Sequence, residues 1–220
     1  MPAEALRLFV FARHAESAAN AAGVLSTNPS RPVALTARGR RQARAPGAQL
    51  AGLRVDLAVG RRLLRTQQTI DLALAGRPVP TLIEPGFDEI RAGDLDGAPI
   101  DAYRSWMDQH TAGDRLPQGE SINDALRRYA GALRRLLARK EKVMLVVIHE
   151  IALRSIAGLC GVASRTCCGC RLARRVRAIR GRRARLVRWH GARRRRLQPA
   201  TRGADGRLGV GEHRMWQWRD

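Results

Sequence analysis

Cysteine is missing from the first 159 residues of this 220-residue chain; all four, Cys160, Cys167, Cys168 and Cys170, fall within one short stretch. A disulfide framework is thereby excluded from most of the chain. The cysteines also lack the paired C-x-x-C spacing of a zinc site, so no metal is expected. No apolar run approaches the roughly 18 residues that cross a bilayer, and no membrane partner is expected. The apolar run after Arg7 is also shorter than the roughly 7 to 15 residues of a secretory leader. The expectation is a cytoplasmic protein.

Lysine is absent beyond Gly158, and that absence divides the chain. Residues 1–158 carry 23 Lys plus Arg against 16 Asp plus Glu, whereas residues 159–220 carry 18 Arg against 3 acids. Most of the net charge of +22 therefore belongs to the last 62 residues, and it says nothing about the first 158. A chain of this length holds one domain of about 150 residues plus an extension. The reading is a domain over 1–158 and an Arg-rich tail over 159–220. The tail also holds three of the four Trp and has no amphipathic stripe. Such a switch is expected from translation of a GC-rich gene in a shifted frame; the alternative is a basic, disordered extension able to grip nucleic acid through phosphate neutralisation. On either origin the tail is expected to pack poorly and leave a sheet edge uncovered.

Within the first 158 residues, strands alternate with helices. Residues 6–12 read as a strand buried on both faces, Asp56 to Gly60 as a second, Pro78 to Ile83 as a third near an edge, and Val143 to Ile148 as a fourth. Thr36 can cap a helix running to about Leu50, a second helix spans Arg61 to Gly76, and a third Ile100 to His110. Ser121, with Asp124 as its acidic partner, opens the longest helix. This alternation predicts an α/β fold, a three-layer α/β/α sandwich with a mostly parallel sheet. The first strand ends at Arg13-His14 and the fourth at His149. In such sheets, ligands bind outside the carboxyl ends of the strands, so one shared site is expected there.

The pattern Arg13-His14-x-Glu16-x-x-x-Asn20 resembles the signature loop of the histidine phosphatase superfamily, the phosphoglycerate mutase-like enzymes. Further matches follow in order: Leu35-Thr36-x-x-Gly39-x-x-Gln42-Ala43, Arg65-Thr66-x-x-Thr69, Glu89-x-x-x-Gly93-x-x-x-Gly97, Pro117-x-Gly119-Glu120-Ser121 and Val147-x-His149. The resemblance spans residues 6–158. It implies a phosphoglycerate mutase-like fold and a phosphomonoester hydrolase that acts through a phosphohistidine on a small phosphorylated substrate. Mutase-type transfer and an inactive phosphate-binding homologue with a nucleic-acid-binding tail are the alternatives.

The residue types suit that chemistry. Arg13 and Arg65 are always protonated and can grip phosphoryl oxygens bidentately. His14 can be the nucleophile through one ring nitrogen if the other donates to a fixed acceptor. His149 would stabilise charge on the moving phosphoryl group, and Asn20 is either a phosphate contact, as the resemblance implies, or a loop residue in left-handed conformation. Glu89, its pKa lifted by partial burial, is expected to protonate the leaving group and then activate water. Asp88, Asp94 and Asp96 are rivals read as solvated loop charges, and Glu16 is expected to orient the loop. Arg91, Arg104, His110 and Arg115 either contact the rest of the substrate or are merely exposed. No metal or cofactor is needed.

Three positions depart from the family's pattern. Ala15 replaces a glycine, and its methyl is expected to crowd the phosphoryl group. Glu150 replaces the glycine that commonly follows the second histidine, where it should repel phosphate unless it points away. Arg61 and Arg62 stand where Ser-Pro is common.

Overall fold

The computed structural model describes residues 7–45, 50–159, 177–179 and 184–189. Strand β1 is Arg7–Arg13, followed by the short helix α1, Ala18–Ala21, and by α2, Ala37–Arg44. Strand β2 is Leu57–Gly60, helix α3 Leu64–Ala73 and strand β3 Thr81–Ile83. After an irregular stretch come α4, Ile100–Gln109, α5, Ile122–Leu137, β4, Val143–Ile148, and α6, Glu150–Leu159. Helix α2 is shorter than expected, ending at Arg44.

The sheet runs β3-β2-β4-β1 in parallel, with β4 inserted between strands made much earlier. Alternate residues of each strand feed different cores, because successive side chains point to opposite faces. Phe9, Phe11, Leu57, Val59, Met144 and Val146 pack with Tyr129, Ala132 and Leu136 of α5 and Leu153 and Ile156 of α6. Val10, Ala12, Ala58, Leu145 and Val147 pack instead with Leu50, Val55 and, from α3, Ile70 and Ala73. Helices therefore cover both faces, the three-layer arrangement expected.

Ser121 caps α5 as its sequence predicts: its hydroxyl accepts from the Asp124 N–H at 3.1 Å, and Asp124 reaches back to the Ser121 N–H. No helix among the described residues is long and apolar enough to cross a membrane.

The expected open edge beside β1 is corrected. Two strands of the Arg-rich segment, β5 at Arg177–Ile179 and β6 at Ala184–Trp189, extend the sheet; β6 pairs in parallel along β1 from Arg7 to Ala12, and β5 pairs antiparallel with β6. The physical reason is the edge itself. Its unpaired N–H and C=O groups take any strand with sufficient β propensity, and Leu186, Val187 and Trp189 provide that even amid arginines. The four cysteines lie outside the described residues.

Candidate active site

Arg13 of β1 lies opposite Ile148 of β4, and the His14 N–H donates to the Ile148 carbonyl at 3.1 Å. Parallel strands in register carry their next residues to the same height, and here both are histidines. The His14 and His149 rings lie 5.1 Å apart between centroids, 30° from parallel.

The His14 Nδ1 lies 2.7 Å from the Ala15 carbonyl oxygen. A carbonyl only accepts, so Nδ1 carries the proton and Nε2 keeps its lone pair. That lone pair accepts from Arg65 Nε at 3.3 Å. Burial above all, then His149 and the nearby Arg65, Arg61 and Arg13, hold the His14 pKa well below 6.5. The resting imidazole is therefore neutral, buried and aimed.

The loop that carries it is clamped from two helices. Thr69 of α3 accepts from the Ala15 N–H at 3.1 Å, and Gln42 of α2 accepts from the Glu16 N–H at 3.0 Å. The Glu16 carboxylate accepts from the Thr36 hydroxyl at 2.8 Å and pairs with Arg38 at 3.3 Å. Gly39 is required by this packing, because a Cβ there would lie 1.9 Å from the Glu16 carbonyl oxygen. Gly93 is required likewise: its φ is +57°, and a Cβ would lie 1.9 Å from the Pro117 carbonyl oxygen. Ala15 is buried on this loop. Its methyl packs with Leu35 and Ala43 in a small cluster behind the loop.

Arg65 is buried on the first turn of α3. Besides meeting His14, it donates from Nη2 to the Ser26 carbonyl at 2.7 Å and from Nη1 to the Ser26 hydroxyl at 3.3 Å. Its pKa, lowered to about 10 chiefly by burial, leaves it charged at neutral pH. Arg13 is more open and pairs with Glu150 at 2.6 Å, while the other Glu150 oxygen pairs with Arg154 at 2.5 Å. Glu150 thus points toward the site's arginine, not away from it. Asn20 is not in left-handed conformation; it closes the capping box of α1, with its Oδ1 taken by the Ser17 N–H and hydroxyl. Only its amide N–H donors remain for an anion.

Glu89 requires the largest correction. It is 3 % exposed, and Oε2 stands 2.6 Å from His149 Nδ1, ion-pair closeness though off the line of a directed hydrogen bond. Burial pushes its carboxyl up, but His149, Arg61 and Arg65 outweigh that and bring it down to about 2. The lifted pKa expected from burial fails because that expectation counted desolvation and omitted neighbouring charge. Burial also lowers the His149 pKa below 6.5, so at neutral pH the persistent influence on Glu89 is that of the two arginines. Asp88 and Asp96 are not solvated either. Asp88 pairs with Arg62 at 2.5 Å, and Asp96 accepts from the Thr27 hydroxyl at 2.9 Å and the Asn28 N–H at 3.1 Å. Asp94 is exposed, as expected.

Two arginines escape the sequence reading. Arg61 is fully buried; its Nη1 donates to the Phe87 carbonyl at 3.2 Å and lies 3.6 Å from Glu89 Oε2, while Nε and Nη2 have no hydrogen-bond partner among the described residues. It directly follows β2, so the strand-end rule that singles out Arg13 applies equally to it. Arg128 of α5 donates to the carbonyls of Gly86, Asp88 and Glu89 and pairs with buried Glu120, fastening the segment that carries Glu89. Of the charged residues of the excursion, Arg91 pairs with Glu120, Arg104 with Asp101 and Arg115 with Asp124, and the His110 ring stacks on Trp106. Among the described residues no group of three or more His, Cys, Asp or Glu could hold a metal ion.

Known proteins resemble this chain in sequence and fold. The chain is 30% identical over 128 residues to a "Probable phosphoglycerate mutase GpmB" of Yersinia enterocolitica, a match covering 55% of this chain and 59% of that one. The chain thus spans under two thirds of the length of the curated relatives it matches. Among solved structures, the alpha-ribazole phosphatase from Shigella flexneri superposes with a TM-score of 0.60 at 30% identity, over 69% of this chain and 79% of that one. Bacillus stearothermophilus YhfR superposes with a TM-score of 0.62 at 22% identity, over 71% and 84%, a likeness of fold. The family description "Histidine phosphatase superfamily (branch 1)" matches residues 9–165, which take in both histidines, and to that superfamily of phosphatases and mutases the chain belongs.

Proposed function

We propose that this protein is a phosphomonoester hydrolase working through phosphohistidine at His14. The observation that carries the reading is the fixed tautomer: Nδ1 held on the Ala15 carbonyl, Nε2 unprotonated and facing Arg65. The phosphoryl group sits between Arg13, Arg65 and His149, with the Asn20 amide as a further donor. His14 Nε2 attacks phosphorus while the ester P–O bond breaks, and the leaving oxygen takes a proton. Water then attacks the phosphohistidine, the P–N bond breaks, and Glu89 takes the water's proton.

Glu89 is ionised in the resting site, so it takes up a proton as the substrate binds, gives it to the leaving oxygen, and regains one from the attacking water. A phosphate dianion beside it raises its pKa by like-charge repulsion, which lets it carry the proton that the leaving group needs. Hydrolysis is favoured over mutase transfer because the chain has no large insertion that would shield the phosphohistidine from water. The solved relative at 30% identity being a phosphatase supports the same choice.

The test is trapping: a ³²P-labelled ester should leave acid-labile, base-stable label on the wild-type protein and none on His14→Ala. Normal turnover by His14→Ala would end the reading.

A further inference from the structure

Arg13, a phosphoryl-gripping residue in the reading above, is already occupied by an anion, and that anion belongs to the protein. Glu150 holds it at 2.6 Å and is itself held by Arg154 at 2.5 Å. We propose that Glu150 limits the site to a single phosphate dianion, so that its substrates are phosphomonoesters whose leaving group carries no further acid.

The first argument is occupancy. A phosphoryl group that binds Arg13 must displace Glu150, which swings onto Arg154 without leaving the protein's surface uncompensated. Glu150 is an internal competitor, and every phosphate pays its displacement in affinity. The second argument is charge balance. Arg13, Arg61, Arg65 and Arg154 surround Glu89, Glu150 and two histidines whose pKa values are both lowered. The adjoining pairs Arg62–Asp88 and Arg31–Asp96 cancel, so four guanidinium groups against two carboxylates leave two positive charges, which one phosphate dianion neutralises. A carboxylate on the substrate would make the site net negative. The third argument is the surroundings: Arg91, Arg104 and Arg115 of the excursion each hold a carboxylate of the protein.

The inference rests on the site being a phosphoryl pocket, and the experiment separates the two by measuring binding without turnover. Inorganic phosphate, 2-hydroxyethylphosphonate and phosphonoacetate are titrated calorimetrically into wild type, Glu150→Gln, Arg13→Met and the double variant. Glu150→Gln should bind phosphate about tenfold tighter, the size of one charge-assisted contact released. It should also narrow the wild-type preference for 2-hydroxyethylphosphonate over phosphonoacetate, two ligands of similar size differing by a carboxylate. In the Arg13→Met background the gain from Glu150→Gln in phosphate affinity should vanish, since nothing is left to compete for. Arg154→Met, which leaves Glu150 with Arg13 alone, should weaken phosphate. Equal or weaker phosphate binding by Glu150→Gln overturns the inference, because Glu150 would then be positioning Arg13 for substrate. An undiminished gain without Arg13 overturns it too. Absence of phosphate binding in every variant removes the pocket reading and this inference together.

Discussion

His14 and His149 stand side by side because Arg13 and Ile148 are paired across β1 and β4. The pair is thus a product of strand register, and neither ring depends on a mobile loop for its approach to the other. In the proposed mechanism His149 lies against the place where the phosphoryl group passes between oxygen and His14 Nε2. Its interaction is expected to strengthen in the transition state, so His149→Ala should lower kcat by about 10² to 10³ with a smaller change in KM. A raised KM at unchanged kcat would reduce His149 to a ground-state binding residue.

In the proposed cycle Glu89, at about 2, starts ionised and takes up its proton as the substrate arrives. Glu89→Gln should therefore slow alkyl phosphates about 10² to 10⁴-fold, while aryl phosphates, whose leaving groups need little protonation, lose far less. Comparing kcat/KM across a series of esters of graded leaving-group pKa checks this. Equal slowing of both classes would assign Glu89 to holding His149 alone.

Acid stability follows from the same site. His14 and His149 have folded pKa values below 6.5, so the unfolded chain binds more protons than the folded one as pH falls through 6.5, and stability is lost from there down to the lowered folded values. Glu89, lowered from 4.5 to about 2, adds a second loss between those values. Unfolding free energy by denaturant titration should decline already below 6.5, and His14→Gln should flatten the upper part of the decline. An unchanged slope there in the variant would mean that His14 does not carry this proton linkage.

The composition break after Gly158 leads to a prediction about the gene. We propose that the Arg-rich segment is read in a shifted frame, and that another frame downstream of codon 158 encodes a balanced composition with two short strands. The family match runs on to residue 165, close to the first adjacent cysteine pair, Cys167 and Cys168. The pairing of β6 with β1 is made by backbone groups and is open to either origin. Only stops or unpatterned sequence in both other frames would end the proposal.

The strands β1 and β4 are legible because continuous apolar runs, β-branched in β4, have few alternatives, and the strand-end rule then brings His14, Arg13 and His149 to one edge. The ordered motifs locate the clamps on the His14 loop, since Thr36, Gly39, Gln42 and Thr69 each contact that loop or its cap. What escapes is set by neighbours distant in the chain. Arg61 looks like a surface charge until the Glu89 segment closes over it, and Glu89 looks like a raised carboxyl until Arg61 and Arg65 are known to face it. Arg128 sits on an exposed-looking helical position yet reaches 39 residues back to the Glu89 carbonyl. The strands of the Arg-rich segment escape because charge density there conceals short apolar stretches that an open edge suffices to recruit.

Strand β4 lies between β1 and β2 yet is synthesised after both, and this dictates when the two histidines can meet. A chain emerging from the ribosome with β1 through α5 already made carries His14, Arg13 and Arg65, but β1 and β2 face each other across a gap with their adjoining edges unpaired. Filling that gap closes two ladders at once, joining β4 to β1 across 135 residues of sequence and to β2 across 87, a long-range step that folding reaches slowly and with edges open to wrong partners. The same insertion delivers His149. Completion of the sheet and of the histidine pair are thus one event, and a nascent or truncated chain ending before Val143 has His14 without His149 beside it.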